Sequence, residues 1–192
     1  MKEYQVQVFE NRTEWYHNGT LHREDGPAIE WTDGANFWFK NGKLHREDEP
    51  AIVYANGDKE WWVNGVKHRE DGPAIEYTSG SKEWYIHGKR HREDGPAFES
   101  MDRHKSWWVN DLRHREDGPA VEWANGDKEW WVNDQRHRED APAVEWADGR
   151  KQWFLNGVEY TEAGFLAGTS PAKELTVADI EKILGHRVKV VK

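Results

Sequence analysis

The stretch His22-Arg23-Glu24-Asp25-Gly26-Pro27-Ala28 decides the fold, because its first four residues recur along the chain at a constant interval. The interval is 23 residues, with no insertion between copies. A fixed period of this length is typical of proteins built from stacked structural repeats. The sequence therefore predicts an array of repeats. The further copies of His-Arg-Glu-Asp begin at His45, His68, His91, His114 and His137.

The residues between two copies of the motif predict a hairpin unit of three strands. In one unit, residues 50–54 predict strand A, residues 59–63 strand B and residues 67–69 a short strand C. Asn56-Gly57 and Asn64-Gly65 separate these segments, and Asn-Gly between alternating strands is a strong signal for a two-residue turn. The Asp-Gly-Pro end of the motif predicts the corner that leads to the next strand A. The array is expected to begin with a diverged half-unit that includes Tyr4, Val6 and Val8.

Two-residue turns fix which residues face each other across the strands. They would place Ile52 opposite Trp61, and Trp61 opposite His68. One face of the sheet would then carry the histidines of the motif beside a repeated tryptophan, and both are expected to be structural. This first aromatic row is Trp15, Trp38, Trp61, Trp84, Trp107, Trp130 and Trp153.

The opposite face is expected to carry glutamates with arginines between them. Glu60 would face Arg69, and Glu76, Glu83 and Arg92 would converge, because an arginine relieves the repulsion of facing carboxylates. The same structural role is expected for Arg115 and for Arg138, which would lie beside Glu122 and Glu129.

A second aromatic row is expected on this same face. Either Lys67, Arg90, Arg113 and Arg136 cover its rings through cation–π contacts, or the rings form an exposed surface for a protein or a nucleobase. The second row is Tyr16, Phe39, Trp62, Tyr85, Trp108, Trp131 and Phe154.

Composition excludes several classes of function. The net charge of −9 and the pI of 5.6 disfavour binding to bulk nucleic acid or anionic membranes. The chain has no cysteine and begins without an apolar signal segment, so a cytosolic protein without disulfides is expected. Equivalent histidines of adjacent units would lie roughly 10 Å apart, too far to share a metal ion. No nucleophile motif or phosphate loop is present, so neither an enzyme nor a cofactor is expected.

One unit departs from the pattern more than the others. Ser100-Met101-Asp102-Arg103-His104 replaces Tyr/Trp-Ala-Asn-Gly-Asp, and His87 replaces an asparagine. These departures are either neutral drift in a redundant array or a single special site between residues 87 and 113. The candidate binding residues are Trp62, Tyr85, His87, Arg90, Arg103, His104, Trp108, Arg113, Trp131 and Arg136.

The pattern changes near the C-terminus. Residues 176–179 resemble a capping box, and Ile180, Ile183 and Leu184 have helical spacing. Residues 187–191 then predict a strand. We therefore expect a repeat array over residues 1–168 and a helix-strand cap over residues 169–192, because a stack of repeats needs its last edge covered.

The repeated Asn-Gly-Asp-Lys-Glu-Trp-Trp-Val-Asn-Gly, followed by a loop, resembles the MORN repeat over residues 4–164. It is similar to the variant of bacterial and viral proteins in which His-Arg-Glu-Asp-Gly-Pro-Ala is frequent. The resemblance implies an elongated, twisted, single-layer antiparallel array of about seven hairpin repeats. It also implies a non-enzymatic binding or scaffolding role, and one branch of the family is described as antitoxin-like. The chain departs from the family by using His-Arg-Glu-Asp in place of small residues, which disfavours lipid binding.

The end of the chain adds a hint of origin, because residues 175–188 resemble a helix-strand ending of tailed-phage proteins. Two functions are therefore expected. The first is a phage-encoded protein in the host cytosol that engages a host or phage protein, as a counter-defence or antitoxin-like factor. The alternative is sequestration of a nucleotide immune signal, with aromatic rings stacked on the bases and Arg90, Arg103 or Arg113 contacting the phosphates. The oligomeric state is left open.

Overall fold

The structure is a computed structural model that describes residues 3 to 169. These residues form an all-β array around one long antiparallel sheet of 16 strands, with a single short helix at its end. The predicted fold class is therefore confirmed. The predicted helix over residues 176–185 and the predicted strand over residues 187–191 lie outside the described residues.

The first unit contributes β1 (Gln5–Val8), β2 (Arg12–His17) and β3 (Thr20–Leu21). Strand A of the following units is β4 (Ile29–Trp31), β8 (Ile52–Val53), β12 (Ile75–Glu76), β16 (Phe98–Glu99), β20 (Val121–Glu122) and β24 (Val144–Glu145). The first half of strand B is β5 (Asn36–Phe37), β9 (Lys59–Glu60), β13 (Lys82–Glu83), β17 (Lys105–Ser106) and β21 (Lys128–Glu129). Its second half is β6 (Phe39–Lys40), β10 (Trp62–Val63), β14 (Tyr85–Ile86), β18 (Trp108–Val109) and β22 (Trp131–Val132). Strand C is β7 (Lys43–Leu44), β11 (Val66–Lys67), β15 (Lys89–Arg90), β19 (Leu112–Arg113) and β23 (Gln135–Arg136). The last unit ends with β25 (Lys151–Leu155), β26 (Val158–Tyr160) and α1 (Glu162–Thr169).

In the five units between the first and the last, strand B divides at the tryptophan of the first aromatic row. The backbone N–H of Trp61 donates to the carbonyl of Ala74 in the next unit at 2.8 Å, whereas its carbonyl accepts from the N–H of His68 at 3.1 Å. The first half of strand B therefore pairs within the long sheet, and the second half pairs only with strand C in a separate two-stranded ribbon. The expected pairing of Trp61 with His68 is confirmed at the backbone.

The expected pairing of Ile52 with Trp61 is wrong by one residue, because Ile52 pairs with Glu60. The cause is the turn. The N–H of Tyr54 donates to the carbonyl of Asp58 at 2.9 Å, so three residues, 55–57, form the loop. Only Gly57, with φ of 90°, has the left-handed conformation there. This is the hairpin in which a left-handed residue follows a tight turn.

The second Asn-Gly forms the predicted two-residue turn. Asn64 and Gly65 both have positive φ, at 53° and 84°, and Val63 pairs with Val66 across them. Two positive φ angles define the turn that matches the twist of adjoining strands. The same dipeptide thus makes two different turns within this unit.

The changed register also overturns the expected convergence of glutamates around one arginine. Arg69 does not lie between Glu60 and its neighbour; it donates to Glu76 at 2.9 Å. Glu83 instead accepts from Arg90 at 2.5 Å. Glu76 and Glu83 therefore each have a guanidinium partner of their own.

The core is a thin line of small side chains along the array. The alanine that ends each copy of the motif has no exposed surface, and the aliphatic residue after it is buried in most units. Such a narrow interior leaves most of the stabilising contact area to aromatic rings, which bury large areas each. The alanines are Ala28, Ala51, Ala74, Ala97, Ala120 and Ala143.

Helix α1 replaces the seventh copy of the motif and was not predicted. Its first turn is capped by Thr161, whose hydroxyl accepts the N–H of Gly164 at 3.1 Å. Phe165 is only 2% exposed, and the helix contacts β25 and β26. The helix thus covers part of the last unit, as a terminal unit of a stack must.

Two glycines of the unit, Gly95 and Gly88, differ in backbone conformation and in what a larger side chain would meet. A methyl group at Gly95 would meet only the end of the Arg92 side chain, and Ala141 and Glu49 occupy the equivalent positions. Gly88 has φ of +81°, and a methyl group there would lie 3.3 Å from Cβ of Val66.

We expect Gly95→Ala to change the free energy of unfolding by less than about 0.5 kcal/mol, and Gly88→Val to lower it by about 2 kcal/mol. Urea unfolding of both variants tests this, and equal losses would contradict it.

Candidate binding site

The arginine of the motif covers the first aromatic row. The Cζ atom of Arg69 lies 4.0 Å from the ring centroid of Trp61. The same side chain donates to Asp71 at 3.0 Å, to the carbonyl of Pro73 at 3.1 Å and to Glu76 at 2.9 Å. The expectation that this arginine lies on the face opposite the first row is therefore wrong. Equivalent ring contacts of 4.0 to 4.2 Å join Arg23 to Trp15, Arg46 to Trp38, Arg92 to Trp84, Arg115 to Trp107 and Arg138 to Trp130.

The histidine of the motif connects consecutive units. Nδ1 of His45 accepts the backbone N–H of Asn64 at 3.1 Å, in the two-residue turn of the next unit. A backbone group held by a side chain needs no other partner. The imidazole and the guanidinium of the motif thus each have a structural contact that repeats along the array. The other pairs are His22 with Asn41, His68 with His87, His91 with Asn110, His114 with Asn133 and His137 with Asn156.

Basic side chains also cover five of the seven rings of the second aromatic row. Among the candidate residues, Arg113 lies closest to a ring, with its Cζ atom 3.5 Å from the centroid of Trp131. The first of the two alternatives, rings covered through cation–π contacts, thus matches the geometry. The remaining contacts are Lys67 with Trp62 and Tyr85, Arg90 with Tyr85 and Trp108, Arg113 with Trp108, and Arg136 with Trp131 and Phe154.

A buried glutamate lies at the centre of the regular units on this face. Glu83 accepts hydrogen bonds from the hydroxyls of Tyr77 and Tyr85, both at 2.9 Å, and from Arg90 at 2.5 Å. Burial raises the pKa of Glu83, but the hydrogen bonds and the charge of Arg90 outweigh it and hold the pKa below its usual range. Burial and the hydrogen bond to Glu83 raise the pKa of Tyr85 to about 12. Glu14, Glu60 and Glu129 occupy equivalent positions.

The irregular unit lacks this carboxylate, because Ser106 stands in its place. A shallow cleft of about 240 Å³ opens here. We call it the irregular cleft. It is lined by Arg90, Phe98, His104, Ser106, Trp108, Arg113, Val121 and Trp123.

Rings and donors line the irregular cleft. The ring of His104 stacks on Trp123 with centroids 4.2 Å apart and planes at 8°. The indole N–H of Trp108 donates to the hydroxyl of Ser106 at 2.7 Å. Nε of Arg90 is buried without a hydrogen-bond partner. Burial lowers the pKa of His104 below its usual range, although the charges of Asp102 and Glu129 raise it.

The equivalent cleft two units earlier has the opposite character. Its lining includes Asp33, Asp58 and Glu60 and contains no cation, over a volume of about 450 Å³. His104 and Ser106 occupy the positions of Asp58 and Glu60. The irregular unit has thus replaced two carboxylates with an imidazole and a hydroxyl.

The structure brings four of the predicted binding residues into the irregular cleft: Arg90, His104, Trp108 and Arg113. Arg103 is exposed in the neighbouring turn, and His87 stacks on His68 with centroids 4.6 Å apart. The candidates in the adjoining units are Trp62, Tyr85, Trp131 and Arg136. Sequence reasoning missed Phe98, Ser106, Val121 and Trp123. The signal for Ser106 was its place in the 23-residue period, where glutamate recurs.

Two features are absent from residues 3 to 169. Within that range, no three histidine, aspartate or glutamate side chains are grouped so that they could hold a metal ion. No helix in the same range is long and apolar enough to cross a membrane. No protein-family model matches the sequence, and no curated protein matches it.

Proposed function

We propose that the chain is a non-enzymatic binding protein that engages a basic region of a protein partner through its motif loops. The observation that carries this proposal is the set of grooves between consecutive loops. We call the side of the array that these loops form the acidic edge. The glutamates of the motif on this edge are Glu24, Glu47, Glu70, Glu93, Glu116 and Glu139.

Each groove combines carboxylates and arginines of the motif with an apolar base. Between the fifth and sixth loops, Glu116 and Glu139 contribute carboxylates, and Trp130 and Val132 contribute apolar surface. The volume is about 690 Å³. Similar grooves of about 620 and 610 Å³ lie between the first and second loops and between the third and fourth.

The glutamates of this edge are directed outward. Glu93 is 88% exposed, and its nearest charged or titratable neighbour is the imidazole Nε2 of His91 at 3.7 Å. The adjacent aspartates are instead held by the arginines of the motif, as Asp94 is by Arg92 at 2.8 Å. The glutamates thus present negative charge that the array itself does not fully neutralise.

This chemistry fits the side chains of lysine and arginine. Their hydrocarbon stems can lie on apolar surface while the charged ends stay near carboxylates. Equivalent grooves recur along the stack, so one partner with several basic side chains can engage several grooves at once, which raises the overall affinity. The partner class is the one that the resemblance implies, a host or phage protein.

Neutralising the acidic edge tests this function. We expect the triple variant Glu70→Gln, Glu93→Gln, Glu116→Gln to bind a fluorescent deca-lysine peptide at least about tenfold more weakly than the unaltered chain, a loss of roughly 1.4 kcal/mol. Fluorescence anisotropy at low and at physiological salt measures the affinity, and the salt dependence should fall with the lost charges.

The control variant changes the net charge equally at exposed positions off this edge: Glu10→Gln, Glu159→Gln, Glu162→Gln. It should keep most of the affinity. If both triple variants lose affinity to the same extent, binding reflects net charge alone and the proposed role of the edge is wrong.

A further inference from the structure

We infer that the irregular cleft is a binding site for a small aromatic anion, a planar ring that carries a carboxylate or a phosphate. This site lies apart from the acidic edge and does not depend on the function proposed for it. The irregular unit lacks a carboxylate that other units have at the equivalent position, as Glu83 and Glu129 show, and has Ser106 instead.

The regular arrangement is visible one unit later. Glu129 accepts from the indole N–H groups of Trp123 and Trp131, each at 3.1 Å, and from Nη2 of Arg136 at 3.1 Å. The array therefore surrounds a carboxylate with ring donors and a cation.

In the irregular unit two of these three donors remain, while the carboxylate is gone and Ser100 stands in place of Trp123. Trp108 takes the place of Trp131 and donates to the short side chain of Ser106. Arg113 takes the place of Arg136, and it reaches the carboxylate of Asp134 in the next unit at 2.6 Å. A ligand carboxylate or phosphate would meet the kind of partners that the repeat provides for glutamate.

Replacement of the repeated glutamate by Ser106 leaves space beside the strand, whereas its replacement by other residues elsewhere in the array does not. Phe37 also stands in place of the glutamate, but its ring packs against Trp31 and Tyr54, with centroids 6.3 and 5.9 Å away. Gln152 does so in the last unit, where its amide donates to Glu159 at 2.9 Å. Ser106 fills less volume than either, and the cleft opens beside it.

The polarity of the lining selects an anion. Arg90 and Arg113 line the cleft and no carboxylate does, since the acidic partners of the two arginines, Glu83 and Asp134, lie outside the lining. Nε of Arg90 is buried and has no hydrogen-bond partner. A buried donor left unpaired is destabilising, and a native structure seldom leaves one so without a reason. Once the groups that cover this nitrogen move aside, the oxygen of a bound anion would provide the missing acceptor, and hydrogen bonds between charged groups are strong.

The remaining walls suit a planar ring. Trp108 and Phe98 contribute aromatic surface, and Trp123 carries the stacked ring of His104 while remaining 43% exposed. Offset and edge contacts among aromatic rings are favourable. The volume of about 240 Å³ limits the ligand to a small molecule with only a few rings, because sites for drug-sized molecules are larger.

The backbone of the turn before His104 is strained at Arg103, which supports a binding role for this part of the unit. Arg103 has φ of 74°, where regular units have glycine, such as Gly57 at 90° and Gly126 at 97°. A left-handed arginine is unfavourable, and such strain is concentrated at functional sites. The turn keeps the hydrogen bond from the N–H of Ser100 to the carbonyl of His104, at 2.8 Å.

Isothermal titration with benzoate, phenyl phosphate and adenosine monophosphate tests the inference, and benzamide serves as the neutral analogue. We expect at least one anion to bind at least about tenfold more tightly than benzamide. Indole N–H signals in two-dimensional NMR should shift for a subset of the tryptophans that includes Trp108. The three probes separate a carboxylate, a simple phosphate and the nucleotide that the sequence left as the alternative ligand.

The variant Ser106→Glu restores the usual residue of the repeat and should fold normally, with an unchanged thermal midpoint. It places a carboxylate in the cleft, so the affinity for the anion should fall at least about tenfold. Ser79→Glu adds the same charge in an exposed turn and should bind like the unaltered chain. No binding of any of the three anions at about 10 mM, a concentration that detects Kd values up to the millimolar range, would overturn the inference. Equal affinities of the two glutamate variants would also overturn it.

Discussion

Replacing Trp61 with alanine is expected to lower the free energy of unfolding by about 3–5 kcal/mol, the usual loss for a buried large aromatic side chain. Trp61 is 7% exposed, and the guanidinium of Arg69 lies 4.0 Å above its ring. The change removes the ring and also the surface on which Arg69 is held. Since the core is otherwise a line of small side chains, no neighbour is large enough to fill the space.

Urea unfolding followed by far-ultraviolet circular dichroism measures the loss. Trp123→Ala is the control, because that ring is 43% exposed. Its loss should be smaller, about 1 kcal/mol, mainly from the hydrogen bond to Glu129. Equal losses for the two variants would show that burial of the first aromatic row is not what stabilises the unit.

Glu83→Gln is expected to cost about 3 kcal/mol at neutral pH, because it leaves the largely buried Arg90 without its charged partner. Glu83 is 8% exposed and accepts from Arg90 and two tyrosine hydroxyls. Glu93→Gln changes a carboxylate that is 88% exposed. It should cost less than about 0.5 kcal/mol and serves as the matched control.

The effect of Glu83→Gln should depend on pH in a defined direction. The pKa of Glu83 in the folded chain lies below the ordinary value of 4.5. Its ionised form therefore contributes stability above that value, and the contribution is lost as the pH falls through the folded pKa. The difference between the unaltered chain and Glu83→Gln should thus shrink between about pH 5 and pH 2. A difference that stays constant over this range would exclude ionisation of Glu83 as the source of the effect.

The period of 23 residues was sufficient to predict the array, because each unit contacts its neighbours through the same residues. The turn at Asn64-Gly65 was also predictable, since both residues adopt the left-handed conformation that this dipeptide favours. The turn at Asn56-Gly57 was not, because the dipeptide alone does not show whether two or three residues form the loop. One extra loop residue shifted the pairing of strand A with strand B.

The error at Arg69 had a different cause. The prediction treated strand B as continuous, so Arg69 and Trp61 were assigned to opposite faces. The strand in fact divides at Trp61, and the guanidinium lies over its ring. Alternation of side chains holds only along an unbroken strand, and nothing in the local sequence shows that division.

The approximate position of the irregular cleft was predictable from Arg103 and His104, because these residues replace the Gly-Asp of the regular turn. Ser106 was missed because a serine shows no chemistry of its own; its importance lies in the glutamate it replaces. Phe98 and Val121 were missed because they occupy ordinary strand positions. Phe98 reaches the cleft by pairing with Ser106 within its own unit, and Val121 by pairing with Ser106 from the next unit.

The order of strands has a consequence for how the chain reaches its fold. No strand pairing among residues 3 to 169 joins residues more than 19 positions apart, the distance of Arg12 from Trp31. All-β proteins usually fold slowly because their pairings close long loops. Here every loop is short, so the entropic cost of closing each one is small. We therefore expect the array to fold faster than a β-sandwich of equal length, with nucleation open to any adjacent pair of units.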